Sequence, residues 1–163
     1  MPTYSETIRR RLLALVLARG FALSALSEKM GYNHAHLTRK LDPSDGSGDR
    51  KLTTQDVDEI LAALDEPHVV LEDHVLTDPD RMLLGWLASA ATPPSEKEAR
   101  RFLKSATRIL RRLLLQELVE PVSPGDTPGF RPTAEGLRVY AELATREAAK
   151  ATLRVEPDAT ALA

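Results

Sequence analysis

The feature that most constrains this chain is the way glycine interrupts the helical periodicity of its first forty residues. Ile8, Leu12, Leu15 and Val16 recur at helical spacing and stop at Gly20; Leu26 and Met30 do the same and stop at Gly31. Glycine just past a periodic run marks a helix end, because it takes up positive φ without steric cost. The first helix is expected to open at Thr3-x-x-Glu6, a capping-box spacing, with Arg9, Arg10 and Arg11 on and beside the face opposite the apolar one. A short second helix is expected from about Leu23 to Met30. Asn33 suits the N-cap of a third, His34 to Leu41, which turns Leu37 and Leu41 inward. The result is a short helix, a glycine, two residues and another short helix.

The same reading continues downstream. Thr53 and Asp56 form a second capping box for a helix within residues 52–64. Residues 67–78 read either as a linker or as a short helix from Val69 to Leu76. Thr77-x-x-Asp80 starts an amphipathic helix with Met82, Leu83, Trp86 and Leu87, which ends near Ala91 before Pro93-Pro94. Ser95-x-x-Glu98 caps another, and a further helix from about Thr107 carries Ile109, Leu110, Leu113 and Leu114. Val119–Val122 and Phe130–Pro132 read as strands around a Pro/Gly-rich tip at 123–129, and Thr133 opens a last helix reaching about Leu153. The expected fold is mainly α. An N-terminal four- or five-helix domain spans 1–66 and a C-terminal domain with a small β-hairpin spans 79–153, followed by a flexible tail at 154–163.

Composition narrows the class. The 163 residues have room for one medium domain or two small helical ones. No apolar run approaches the ~20 residues of a membrane span, and the first residues lack a basic segment followed by an apolar one, so neither a membrane span nor a secretory signal is expected. Cysteine is absent, which removes disulfides, thiolate catalysis and cysteine–zinc sites and fits a cytoplasmic location. The net charge of −2 conceals segregation. Residues 1–42 hold seven basic against three acidic side chains, residues 43–94 three against eleven, residues 95–117 seven against three, and the remainder five against seven. Two basic segments thus flank an acidic one.

The segment Leu26-Ser27-Glu28-Lys29-Met30-Gly31-Tyr32-Asn33-His34-Ala35-His36-Leu37-Thr38-Arg39-Lys40-Leu41, followed by the helix at 52–64, resembles the lambda-repressor-like (Cro/CI, XRE) helix-turn-helix family over about residues 4–66. It departs from that family in having Ala22 where Ser or Thr usually caps the second helix, and in a longer, more acidic loop at 42–51. Leu118-Val119-Glu120-Pro121 with Gly129-Phe130-Arg131-Pro132-Thr133-Ala134-Glu135-Gly136-Leu137 resembles the wing and following helix of MarR- and PadR-like regulators, within a helix, helix, helix, hairpin, helix order over about residues 79–150.

The first resemblance implies a transcriptional regulator, commonly a repressor, that places helix 34–41 in the major groove of double-stranded DNA. His34, Ala35, His36, Thr38 and Arg39 are then the base-contact candidates. Arg39 has the fork that matches guanine O6 and N7. Arg9, Arg10, Arg11, Lys29, Asn33 and Lys40 are the phosphate candidates. In the C-terminal region Arg100, Arg101, Lys104, Thr107, Arg108, Arg111, Arg112 and Arg131 form either a second DNA surface or a solvated scaffold face. A single recognition helix covers little surface, so a homodimer on two half-sites is expected. Leu137, Tyr140, Ala144, Ala148 and Ala151 lie along one stripe that packs either on its own domain or on a twin.

Other chemistry finds little support. His34 and His36 on one helix would point about 200° apart and cannot share an ion, and His68 and His74 lack a ligand spacing. There is no phosphate-cradling glycine loop, serine elbow or distinctive carboxylate pair, so no enzyme, metal or cofactor is expected. With few aromatic residues in the C-terminal region, no tightly bound small molecule is expected either. Two alternatives stay open. One is a nucleoid-associated, replication or partition protein that bridges or coats DNA. The other is a protein-interaction adaptor that uses the acidic segment from Asp56 to Asp80.

Overall fold

The computed structural model describes residues 4–42, 52–123 and 128–155. The expected cap at Thr3, the loop at 43–51, the wing tip at 124–127 and the tail beyond 155 lie outside the described residues. The chain is mainly helical with one small antiparallel sheet, in the order α1 (Tyr4–Ala18), α2 (Leu23–Lys29), α3 (His36–Leu41), α4 (Thr54–Leu64), a 3-10 turn (His68–Leu71), α5 (Asp78–Ser89), α6 (Glu96–Phe102), α7 (Ala106–Leu115), β1 (Val119–Val122), β2 (Gly129–Pro132) and α8 (Ala134–Val155). No described helix is long and apolar enough to cross a membrane.

Two compact units divide the chain: residues 1–80 with 108–116, and residues 81–107 with 117–163. This differs from the sequence-based boundary at 79, since most of α7 groups with the first unit. The segment at 67–78 is not a free linker, because Leu71 and Val75 are buried in the first unit's core. The alternative reading, a short helix at 69–76, is met only by the 3-10 turn at His68–Leu71.

In the first unit, α1 carries the core. Five consecutive residues, Leu12 to Val16, are buried. Sequence periodicity suggested a one-sided helix, but α1 is enclosed on all sides at its centre, as a helix apolar around its whole circumference must be. Leu26, Leu37, Leu41, Ile60 and Leu61 pack into the same cluster. α4 begins at the expected capping box, in which the Thr53 hydroxyl accepts from the Asp56 N–H and the Asp56 carboxylate accepts from the Thr53 N–H.

Within the first unit, Asp80 is fully buried and receives the guanidinium of Arg112, with Nε 3.2 Å from Oδ1. The other Asp80 oxygen accepts the Thr77 N–H at 2.8 Å, the cap expected for α5. Arg112 was a candidate for an exposed DNA surface, and the structure corrects this. On α7 it follows the exposed Arg111 by 100° and turns toward the buried side with Ile109. Gln116 is buried beside this pair and exchanges hydrogen bonds with both backbone groups of Val75, at 2.7 and 2.9 Å.

In the second unit, β1 and β2 pair antiparallel with Val119 opposite Pro132 and Val122 opposite Gly129. An extended segment joins this hairpin from the other side: Ser95 bridges Gly129, and the Phe130 N–H donates to the Pro94 carbonyl at 2.9 Å. Thr133 caps α8, its hydroxyl accepting from the Gly136 N–H and donating to the Glu117 carbonyl. Gly136 lets α8 approach the chain just before β1, since a Cβ there would stand 1.9 Å from the Leu118 carbonyl oxygen. Tyr140 lies against Gly85, where a Cβ would come within 2.9 Å of its ring. It therefore packs on its own unit instead of standing in an open stripe with Ala144, Ala148 and Ala151, which are exposed.

Candidate nucleic-acid interface

The turn between α2 and α3 is built as its sequence implies. Gly31 sits at φ +80°, and the Gly31 and Tyr32 N–H groups close on the Glu28 and Ser27 carbonyls. Asn33 starts the next turn: its side-chain oxygen accepts the Ala35 N–H at 2.9 Å and its carbonyl the His36 N–H at 2.8 Å. Regular helix then begins at His36, two residues later than expected, with His34 and Ala35 in the lead-in turn. Asn33 is thereby held in the lead-in turn and is not the N-cap expected, since Ala35 takes that position with no side-chain cap. Ala22 offers no side-chain cap to α2, in keeping with its lack of a hydroxyl.

One residue that sequence reasoning missed fixes the angle between the two helices. Ser27 is fully buried; its hydroxyl donates to the Leu23 carbonyl at 2.9 Å and accepts the Leu37 N–H at 3.2 Å. The Leu37 N–H lies in the first turn of α3 and has no partner within that helix, so Ser27 supplies one from α2. Only its spacing, one residue past the inward Leu26, hinted that Ser27 faces the core.

Of the base-contact candidates, His34 and Arg39 are exposed, and Ala35, His36 and Thr38 are half-buried. The two histidines are used separately. The His34 ring nitrogen lies 3.2 Å from a Glu28 carboxylate oxygen, whereas His36 stacks on Tyr32 with centroids 4.2 Å apart. The Tyr32 hydroxyl donates to Glu59 at 2.6 Å. That bond pushes the Tyr32 hydroxyl's pKa above its ordinary value and, with one from Gln55, holds the Glu59 carboxyl below the usual carboxylate range. Arg39 makes no hydrogen bond or ion pair among the described residues, and its guanidinium is left facing solvent.

Most of the phosphate candidates have structural partners. Arg10 pairs with Glu6 one turn earlier, at 2.7 Å. Arg11 donates to the Leu71 and Glu72 carbonyls, both at 2.9 Å, and so caps the 3-10 turn. Lys29 donates to the Ala63 carbonyl near the end of α4 and stands 5.3 Å from the centre of the Phe21 ring. Lys40 pairs with Asp56, with both side chains mostly buried. Burial works against ionisation of Asp56, but hydrogen bonds from Lys40 and Thr53 prevail and hold its carboxyl below the usual carboxylate range. Arg9 is half-buried. Arg11, Lys29, Asn33 and Lys40 thus each have a partner within the first unit.

The second basic segment is not one continuous face. α6 ends at Phe102 and α7 begins at Ala106, so Lys104 lies between helices and does not share a helical side with Arg108 and Arg111. Arg108 and Arg111 are exposed on α7. The Thr107 hydroxyl is bound to Glu96 at 2.6 Å, and Arg131 to Glu120 across the hairpin, also at 2.6 Å. Lys97, Arg100, Arg101 and Lys104, all within the second unit, line one shallow depression. Comparison of the chain with protein-family models, with characterised proteins and with solved structures gives no match, so what the site does has to follow from the chain's own side chains.

Proposed function

We propose that the chain is a sequence-specific DNA-binding transcriptional regulator, a repressor, that reads operator DNA with α3, and that it is a binding protein and not an enzyme. The observation that carries this reading is the pairing of a fixed helix with a free fork. α3 is anchored through Leu37, Leu41 and the Ser27 hydroxyl, while Arg39 on its outer side has no partner among the described residues. A guanidinium held this way can donate two hydrogen bonds to guanine in the major groove, worth about 1–3 kcal/mol of discrimination against the wrong base. His34 and Ala35 lie at the entry to the same helix, where donor and methyl contacts to base edges are made. The lambda-repressor-like resemblance of residues 4–66 is part of the same proposal.

For the C-terminal region we propose a winged-helix arrangement. The order α5, α6, α7, hairpin, α8 supports it, as does the bridge from Ser95, between α5 and α6, to Gly129 of the hairpin. Operator reading by one helix calls for two copies on adjacent half-sites. α8 beyond Tyr140 is largely exposed, with Ala144, Ala148 and Ala151 along it, and supports a homodimer through that helix. A cytoplasmic, nucleoid-associated location follows from the same reading.

The test is selection and sequencing of genomic fragments retained by the purified protein at about 150 mM salt, where non-specific binding is weakened. The wild type should enrich a short inverted repeat, and Arg39→Ala should lose that enrichment. Retention of fragments with no common sequence would overturn operator recognition in favour of a DNA-coating role. Retention of none would remove DNA binding altogether.

A further inference from the structure

The first unit uses most of its cations internally, but the second does not. α6 carries two acidic residues whose hydrogen bonds go to other groups, and only Glu98 keeps a charge attraction to one of the cations, Arg101. Glu98 closes the capping box with Ser95, which holds its carboxyl below the usual carboxylate range, and Glu96 accepts the Thr107 hydroxyl. Lys97, Arg100, Arg101 and Lys104 are all exposed, and none makes a hydrogen bond or ion pair among the described residues. Among the described residues these four cations line a depression of about 490 Å³. Exposed like charges this close repel one another unless a counter-charge sits among them.

We propose that this depression on α6 binds the phosphodiester backbone of DNA, as a sequence-independent contact separate from α3. The ligand class rests on the DNA-binding reading given above; the position rests on the α6 geometry. A membrane surface fits less well. A helix lying on lipid needs an apolar face to insert. In seven-residue α6, Ala99 is buried and Phe102, stacked on Trp86 with ring centroids 4.9 Å apart, is the one exposed large apolar side chain, too little for an inserting face. Base reading by Arg100 and Arg101 would show as a difference between operator-like and mixed sequences, which the salt series below measures.

Counterion release provides the experiment, since each phosphate contact adds about 0.9 to the slope of log affinity against log salt on duplex DNA. The probe is a mixed-sequence duplex a few helical turns long, titrated with the full chain across a salt series. The combined variant Lys97→Ala, Arg100→Ala, Arg101→Ala and Lys104→Ala should lose about three to four units of slope. At about 150 mM salt it should bind roughly 100-fold more weakly or worse, on operator-like and mixed sequences alike. Its melting temperature should match the wild type, because all four positions are exposed. Arg19→Ala, which removes one exposed cation just past α1 and outside both proposed DNA surfaces and α8, serves as the control for net charge.

An unchanged slope in the four-residue variant overturns the proposal, and so does an equal change per charge in the Arg19 control. Cation-dependent capture by phosphatidylserine vesicles, with duplex binding unaffected, overturns it in favour of a membrane surface. If the slope falls as expected while Arg39→Ala leaves fragment selection unaltered, the α6 site stands and operator reading by α3 fails. If Arg39→Ala abolishes selection but the slope is unmoved, the reverse holds. A wild type that binds no duplex even at low salt overturns both.

Discussion

The two basic segments look alike in sequence, each with seven basic against three acidic residues, yet they fold into opposite situations. Around α1 to α3, Arg10, Arg11, Arg19, Lys29 and Lys40 each find a carboxylate or a helix-end carbonyl, and among the described residues Arg9 and Arg39 are left over. On and just after α6 the acids bond to hydroxyls and backbone amides, and four cations have no hydrogen bond or ion pair among the described residues. Local charge excess therefore does not measure charge available to a partner. The acidic middle segment explains much of the difference: Asp56 and Glu66 belong to it and neutralise Lys40 and Arg19 of the first basic segment. An adaptor reading of that acidic segment loses those two carboxylates to internal pairing.

The largest effect that can be put to this comparison comes from the one cation of the second segment that is consumed inside the fold. Arg112→Ala leaves the Asp80 carboxylate buried with only the Thr77 N–H against it, a situation that typically costs about 3–5 kcal/mol. Chemical denaturation should show a loss of that size, and Asp80→Asn combined with Arg112→Met should recover much of it. An Arg112→Ala protein as stable as the wild type would mean that Asp80 reaches water, and that Arg112 belongs with the free cations after all.

A smaller loss tests whether α3 depends on its internal anchor. Ser27→Ala removes the acceptor of the buried Leu37 N–H, so about 1–3 kcal/mol of stability should disappear. Because this bond sets α3 against α2, sequence discrimination should fall together with stability, while the salt slope contributed by α6 should not change. Loss of slope in Ser27→Ala would show that the two regions are not separable in the way the comparison supposes.

What could be read from sequence follows how far apart the interacting residues lie along the chain. Both capping boxes, Thr53 with Asp56 and Ser95 with Glu98, are contacts at a spacing of three, and both form as expected. The positive φ at Gly20 and Gly31 is a property of single residues and was likewise legible. So was the hairpin, whose strands are bounded by proline and glycine. The pairing of Asp80 with Arg112 spans 32 residues, and that of Arg11 with the Leu71 carbonyl spans 60. Nothing local distinguishes such an arginine from a solvated one, which is why Arg11 and Arg112 were both placed on DNA surfaces. The burial of Leu13 and Ala14 is hidden for a related reason: a helix enclosed on all sides shows no single stripe, and the arginines before it suggested one.

The smallest effect concerns the more buried of the pairs that cross from the first basic segment into the acidic one, Lys40 with Asp56. Asp56 is held below the usual carboxylate range, with burial opposing and hydrogen bonds from Lys40 and Thr53 prevailing. A carboxylate depressed in the folded state contributes stability that is present above its unfolded pKa, near 3.9, and is lost as pH falls through the lower folded value. Acidification from about pH 5 toward pH 2 should therefore lower the melting temperature of the wild type more steeply than that of Asp56→Asn. Lys40→Met should flatten the same curve, with a loss of up to about 1 kcal/mol at neutral pH. Lys104→Ala should leave it unchanged, since Lys104 has no carboxylate partner among the described residues. An Asp56→Asn melting curve that falls as steeply as the wild type would mean that Lys40 is not tied to Asp56, and would return it to the pool of cations that α3 can offer to phosphate.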